Sequence, residues 1–129
     1  MNDTSLKHGK RIEENIVSSL RLAGFYLRTG GDLDHNHKID FAIHINKQLV
    51  GVQCSLKKNA VKARAAKICA LDVVPRFIYL HVGVGFFTDY KKEYGSELYR
   101  IFNWIIGKYS RHQALMLSIC RRGLRVDVI

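Results

Sequence analysis

Gln53, Ser55 and Lys57 stand at alternate places in the otherwise apolar run Val50 to Lys57. On a strand, alternation turns them to one face with Gly51 and sends Val50, Val52, Cys54 and Leu56 to the other. An amide, a hydroxyl and an ammonium on so apolar a strand require hydrogen-bond partners or a ligand. Two acids are placed to join them. Glu13 falls with Ile16, Val17 and Leu20 at helical spacing, so a carboxylate sits on the stripe that faces the core, whereas the adjacent Glu14 falls beside that stripe. Asp40 lies in the alternating run Ile39 to Ile45 and shares a face with His44, a possible accessory group, although a half-buried strand histidine is more often simply hydrogen-bonded. The bland alternatives are a Glu13 that snorkels to water and a Lys57 that touches a phosphate at a strand end.

The elements that must position these groups follow from periodicity. A first helix, capped by Asp3, Thr4 or Ser5, runs to about Ala23 and stops at Gly24. Phe25 to Thr29 reads as a strand, and a polar loop opened by Gly30 and Gly31 runs through Lys38. Ile39 to Ile45 and Gln48 to Leu56 form an antiparallel hairpin about Asn46 and Lys47, which brings Asp40 near Gln53. A second helix spans Asn59 to Leu71 with Val61, Ala65 and Ile68 inward, and Pro75 precedes the buried strand Arg76 to Val84. The aromatic and charged loop Gly83 to Gly95 leads to a third helix capped by Ser96 with Leu98, Ile101, Phe102 and Ile105 inward; Ala114 to Cys120 and Leu124 to Ile129 close the chain as a hairpin. The expected fold is α/β, a mixed sheet flanked by helices, in a single domain over residues 1–129.

The chain carries 21 Lys and Arg against 11 Asp and Glu, a formal charge of +10, which points to a polyanionic partner. Lys57, Lys58, Lys62, Arg64 and Lys67 form one basic cluster, and Lys108, Arg111, Arg121, Arg122 and Arg125 a second; on one face they would make a phosphate footprint. Phe86, Phe87, Tyr90 and Tyr94, interleaved with Lys91 and Lys92, either stack on bases or pack in a core or dimer contact. Cys54, Cys69 and Cys120 have neither zinc-site spacing nor an even number, and the opening residues lack a signal-peptide h-region. With no apolar run of about 18 residues to span a membrane, a reducing, cytoplasmic setting is expected. Asp32, Asp34 and Asn36 match the start of a calcium loop, but His37 replaces its glycine and Ile43 its final glutamate; His35 and His37 complete no four-ligand set.

Glu13, Asp40 and the Gln53-x-Ser55 face in an αβββαβ order resemble the PD-(D/E)XK nuclease superfamily. The opening GKRIEENIVSSLRLAGFYL is most similar to archaeal-type Holliday junction resolvases, and the resemblance covers Lys7 to about Val84. It implies a restriction-endonuclease-like core followed by an extra helix and hairpin, a homodimer, and Mg²⁺- or Mn²⁺-dependent hydrolysis of DNA, with RNA left open. Carried over by position, Glu13 and Asp40 match the metal-binding acids, Ile39 stands where a proline is usual, Gln53 stands at the third acid and Ser55 at the lysine. Glutamine there is a variant known within the superfamily among methylation-dependent restriction enzymes. Glu13, Asp40 and Gln53 would then hold the metal. Lys57, about 7 Å further along the same strand face, would replace the missing lysine as charge stabiliser. The alternative is a decayed nuclease fold that binds nucleic acid as an accessory factor. A third reading, docking of an acidic protein, leaves the polar strand face unexplained.

Overall fold

The computed structural model describes residues 3–31, 33 and 37–129, with side chains from Lys7 onward. Among the described residues, α1 (Asp3–Leu22) is followed by β1 (Leu27–Thr29), β2 (Phe41–Ile45) and β3 (Gln48–Ser55). Then come α2 (Ala60–Ala70), β4 (Arg76–Val82), α3 (Lys92–Lys108), β5 (Ala114–Cys120) and β6 (Gly123–Val128). The six strands make one mixed sheet in chain order. Neighbours are antiparallel except β3 to β4 and β4 to β5, which are parallel. The α/β class and element order expected above are present. No described helix is long and apolar enough to cross a membrane.

The sheet separates two apolar layers. Ile12, Ile16 and Leu20 of α1 and Leu98, Phe102 and Ile105 of α3 pack with Phe41, Val52, Ile78 and Leu117 on one face. On the other, Ala63, Ala66 and Ala70 of α2 pack on Ile39, Phe77, Tyr79 and Met116. The two parallel crossovers step the same way along the sheet while their helices lie on opposite faces. They are therefore of opposite hand, and one departs from the usual right-handed connection. The loop 83–91 that leads to α3 is tied to α1 by Asn15 Nδ2, which donates to the Phe87 carbonyl (2.8 Å), and by Ser19 Oγ, which accepts from Lys91 N–H (3.1 Å).

Three expectations are corrected. The inward side of α2 is Ala63, Ala66 and Ala70, whereas Ala65 is exposed and Val61 and Ile68 are 74% and 69% exposed, because the large Phe77 and Tyr79 leave room only for small residues beneath the helix. Ser96 does not cap α3, which begins at Lys92 so that Gly95 lies within its first turns against α1. Asp3, Thr4 and Ser5 all lie inside α1 and not ahead of it.

Arg76 opens β4 only 5% exposed and faces no carboxylate within salt-bridge reach among the described residues. Its guanidinium donates instead to the Tyr109 (2.9 Å) and Ile106 (3.4 Å) carbonyls at the end of α3 and to Gln48 Oε1 (3.3 Å). Burial holds its pKa below the usual arginine value, and the bonds satisfy carbonyls that a helix end otherwise leaves without partners. Arg76→Met should cost about 2 kcal/mol, read as a lower urea midpoint at unchanged slope. An unaltered midpoint would show that these contacts contribute nothing net.

Candidate active site

The turn at Asn46 and Lys47 fixes the β2–β3 hairpin. Both residues have positive φ (50° and 68°), as a two-residue hairpin turn requires. Phe41 then lies opposite Val52 and Ala42 opposite Gly51. Just before β2 the alternation breaks. Lys38 turns the chain at φ 56°, and Ile39 enters the layer beneath α2 instead of joining Phe41. Gly51 makes the room: a Cβ there would meet Val74 Cγ2 at 3.0 Å and Ile39 Cδ1 at 3.2 Å.

With Ile39 anchored, Asp40 sits where β3 runs on past β2. Its N–H donates to the Val52 carbonyl (2.8 Å), and its Oδ2 accepts from Cys54 N–H (2.6 Å). One oxygen of the carboxylate is thus fixed by backbone at the exposed edge of β3. Glu13 lies half-buried on α1 with Oε2 3.4 Å from Lys10 Nζ, whereas Glu14 is exposed. The Cys54 thiol registers both acids: burial first, then the charges of Asp40 and of Glu13, push its pKa well above the ordinary thiol value.

A pocket of about 640 Å³ brings together Glu13, Asp40, Gln53, Ser55, Lys57 and Lys62. Gln53 Oε1 is sealed from solvent and accepts no hydrogen bond. An adjoining hollow of about 290 Å³ shares Glu13 and Asp40 and adds Arg21 and, at the end of β1, Thr29. Ser55 Oγ donates to the Lys57 carbonyl (2.8 Å) and accepts from Lys57 N–H (3.1 Å), which ends β3 in a turn, so Lys57 lies beyond the strand and not one repeat along its face as expected. Lys57 and Lys58 leave that turn exposed, and Asn59 Oδ1 caps α2 by accepting from Lys62 N–H (3.0 Å).

Other candidates fall elsewhere. His44 is exposed on β2 and lines neither hollow, because the break at Ile39 takes Asp40 out of the alternation that would set the two on one face. Asp32, Asp34, His35 and Asn36 lie outside the described residues, and His37 Nδ1 lies 3.2 Å from the Cys69 carbonyl oxygen. Phe86 and Phe87 pack against the core, while Tyr90 is exposed. Lys57, Lys58, Lys62 and Arg64 are exposed and Lys67 is half-buried. The second basic cluster divides: Arg121 and Arg122 follow the end of β5, at the same edge of the parallel strands as Lys57 and Lys58, whereas Lys108 and Arg111 precede the start of β5 at the opposite edge.

One polar neighbour is not legible in the sequence. His81 lies beside Ser55 in the parallel register, with Nδ1 buried and without a partner. Burial, and then the charge of Lys58, lower its pKa, against the pull of the Leu56 backbone. The alternation of FIYLHV puts His81 on the Tyr79 face, but nothing local tells that Ser55 lies alongside.

Among the described residues no cluster of three His, Cys, Asp or Glu side chains could hold a metal. Two carboxylates, Glu13 and Asp40, line the pocket with the Gln53 amide, the Ser55 hydroxyl, His8 and Cys54; the carboxylate oxygens are ligands of the kind a hard divalent cation takes. Compared with known protein families, curated proteins and solved structures, the chain matches none of them.

Proposed function

We propose that the chain is a metal-dependent endonuclease that hydrolyses phosphodiesters in DNA, branched DNA included, on a PD-(D/E)XK-like core. The observation that carries this reading is that Glu13, Asp40 and Gln53, from α1, the start of β2 and β3, line one pocket bordered by Lys57 and Lys62. These three side chains would hold Mg²⁺ or Mn²⁺. When bound, such an ion polarises a water and offsets the charge of the phosphate under attack. Asp40 is suited to the task because Cys54 N–H already fixes one of its oxygens. Gln53 supplies a neutral carbonyl where a third carboxylate would bind the cation more strongly. Lys57 stabilises developing negative charge, and Lys58, Lys62 and Arg64 draw the nucleic-acid backbone to the pocket.

A second reading rests on Ser55. Its hydroxyl is spent on the Lys57 backbone, and no lysine stands at its place on the strand. That favours a nuclease fold which retains a DNA- or RNA-binding surface without cutting.

Incubation of the chain with branched and linear DNA in Mg²⁺ or Mn²⁺ separates the two. Cleavage supports the enzyme, and tight binding without cleavage supports the accessory factor. Lys57→Ala should lower cleavage by about 10²-fold and leave Mn²⁺ binding, followed by calorimetry, unchanged. A Lys57→Ala variant cutting at full rate removes that lysine from the chemistry.

A further inference from the structure

The two edges of the sheet differ. β1 offers three residues, whereas β6 offers six, with no proline or bulge to block pairing. Ile129 N–H donates to the Ala114 carbonyl (3.3 Å), and β6 lies antiparallel to β5 with Met116 opposite Asp127 and Ser118 opposite Arg125. Alternation along that ladder turns the N–H and C=O groups of Gly123, Arg125 and Asp127 toward β5, and those of Leu124, Val126 and Val128 outward, unpaired. An open edge of this length is a template for another strand.

The side chains on β6 complement themselves. Leu124 and Val128, 47% and 49% exposed, share the face on which Val126 packs against the core, and Arg125 and Asp127 share the opposite face. A second β6 laid antiparallel about Val126 would set Val126 against its own copy, Leu124 against Val128, and Arg125 against Asp127 at two symmetric places. The outward amides of Leu124, Val126 and Val128 fall into register as hydrogen-bonded pairs. Arg125 and Asp127 then occupy the non-hydrogen-bonded pairs, where side chains approach most closely. Within one chain Arg125 Nε stands 3.4 Å from Asp127 Oδ2, with the two side chains 68% and 32% exposed, so both groups are open to a facing strand.

We propose that two copies of the chain pair through β6, antiparallel about a two-fold axis at Val126, and join their sheets into one continuous sheet. The pairing is isologous and closes at two copies. It does not depend on what the Glu13 and Asp40 pocket does. A one-strand interface is small, so the dimer forms at micromolar concentrations rather than nanomolar ones.

Sedimentation equilibrium from about 1 to about 200 µM, a range suited to so small an interface, tests it. The wild type should pass from monomer to dimer. Arg125→Asp and Asp127→Arg each convert two attractive pairs into two repulsive ones and should weaken the dimer about tenfold or more. The double variant R125D/D127R restores opposite charges and should recover dimerisation to within about threefold of wild type. Val126→Pro removes an outward N–H while sparing the β5 ladder and should leave a folded monomer, its fold checked by circular dichroism. A wild type that stays monomeric, a dimer that single charge reversal leaves intact, a double variant without recovery, or an assembly that grows beyond two copies overturns the proposal.

Discussion

Asp40→Asn should lower Mg²⁺-dependent cleavage by about 10³-fold or more, the scale on which one preorganised electrostatic group acts in such a site, with little loss of stability. Asparagine keeps an oxygen that can accept from Cys54 N–H, so the local hydrogen bond survives. What disappears is one of the two negative charges in the donor set. Asp40→Ala removes the acceptor as well and leaves a half-buried N–H without its partner, at a further cost of about 1–3 kcal/mol. The two variants therefore separate metal binding from folding. Cys54 offers a readout that needs no turnover. Burial raises its pKa most and the charge of Asp40 adds to it, so neutralising Asp40 should lower it in part, and in a chain lacking Cys69 and Cys120 the pH dependence of alkylation should shift to lower pH. Mn²⁺ bound between the carboxylates should move the wild-type profile in the same direction, and a chelator should reverse it. Wild-type cleavage by Asp40→Asn, or a Cys54 profile indifferent to Mn²⁺, would remove the metal from this pocket.

The parts of the fold legible in the sequence are those set by local rules. The hairpin at Asn46 and Lys47 and the stop of α1 at Gly24 follow from turn and cap chemistry, and positive φ is present at all three. The difference between Glu13 and Glu14 follows from helical spacing and holds as half-buried against exposed. Contacts between distant segments are hidden. Asp40 reaches Cys54 N–H because Ile39 drops over Gly51, and a glycine in a strand gives no notice of which side chain will occupy its space. On α2, helical spacing and hydrophobic size argue for Val61, Ala65 and Ile68 as the inward stripe, whereas the space above Phe77 and Tyr79 is filled by Ala63, Ala66 and Ala70. Nothing in the sequence pairs His81 with Ser55, since parallel neighbours are chosen by crossovers many residues long. The basic residues likewise form clusters in the chain that the strand ends divide between two edges of the sheet.

The placement of Glu13 depends on a contact between α1 and α3 that a single methyl group would break. Gly95→Ala should destabilise the chain by about 3 kcal/mol and Gly95→Val by enough to prevent folding, against a total stability of about 5–15 kcal/mol. A Cβ on Gly95 would meet Leu20 N at 2.8 Å and the Ser19 carbonyl closer still. These are backbone atoms in the middle of α1, so no rotamer change relieves the clash and the helices must separate. Ser19 Oγ also holds Lys91 N–H at the start of α3, so the same displacement loosens the loop that carries the chain across to this face. Gly107 is the control on the same helix: exposed, with nothing within 4 Å of the place a Cβ would take, it should accept alanine with a gain of up to about 1 kcal/mol. Glu13 lies six residues before Ser19 on α1, so separation of the helices moves it relative to Asp40, which the sheet holds. If Gly95→Ala and Gly107→Ala melt together, the helices do not meet at Gly95, and the seating of Glu13 beside Asp40 loses its mechanical support.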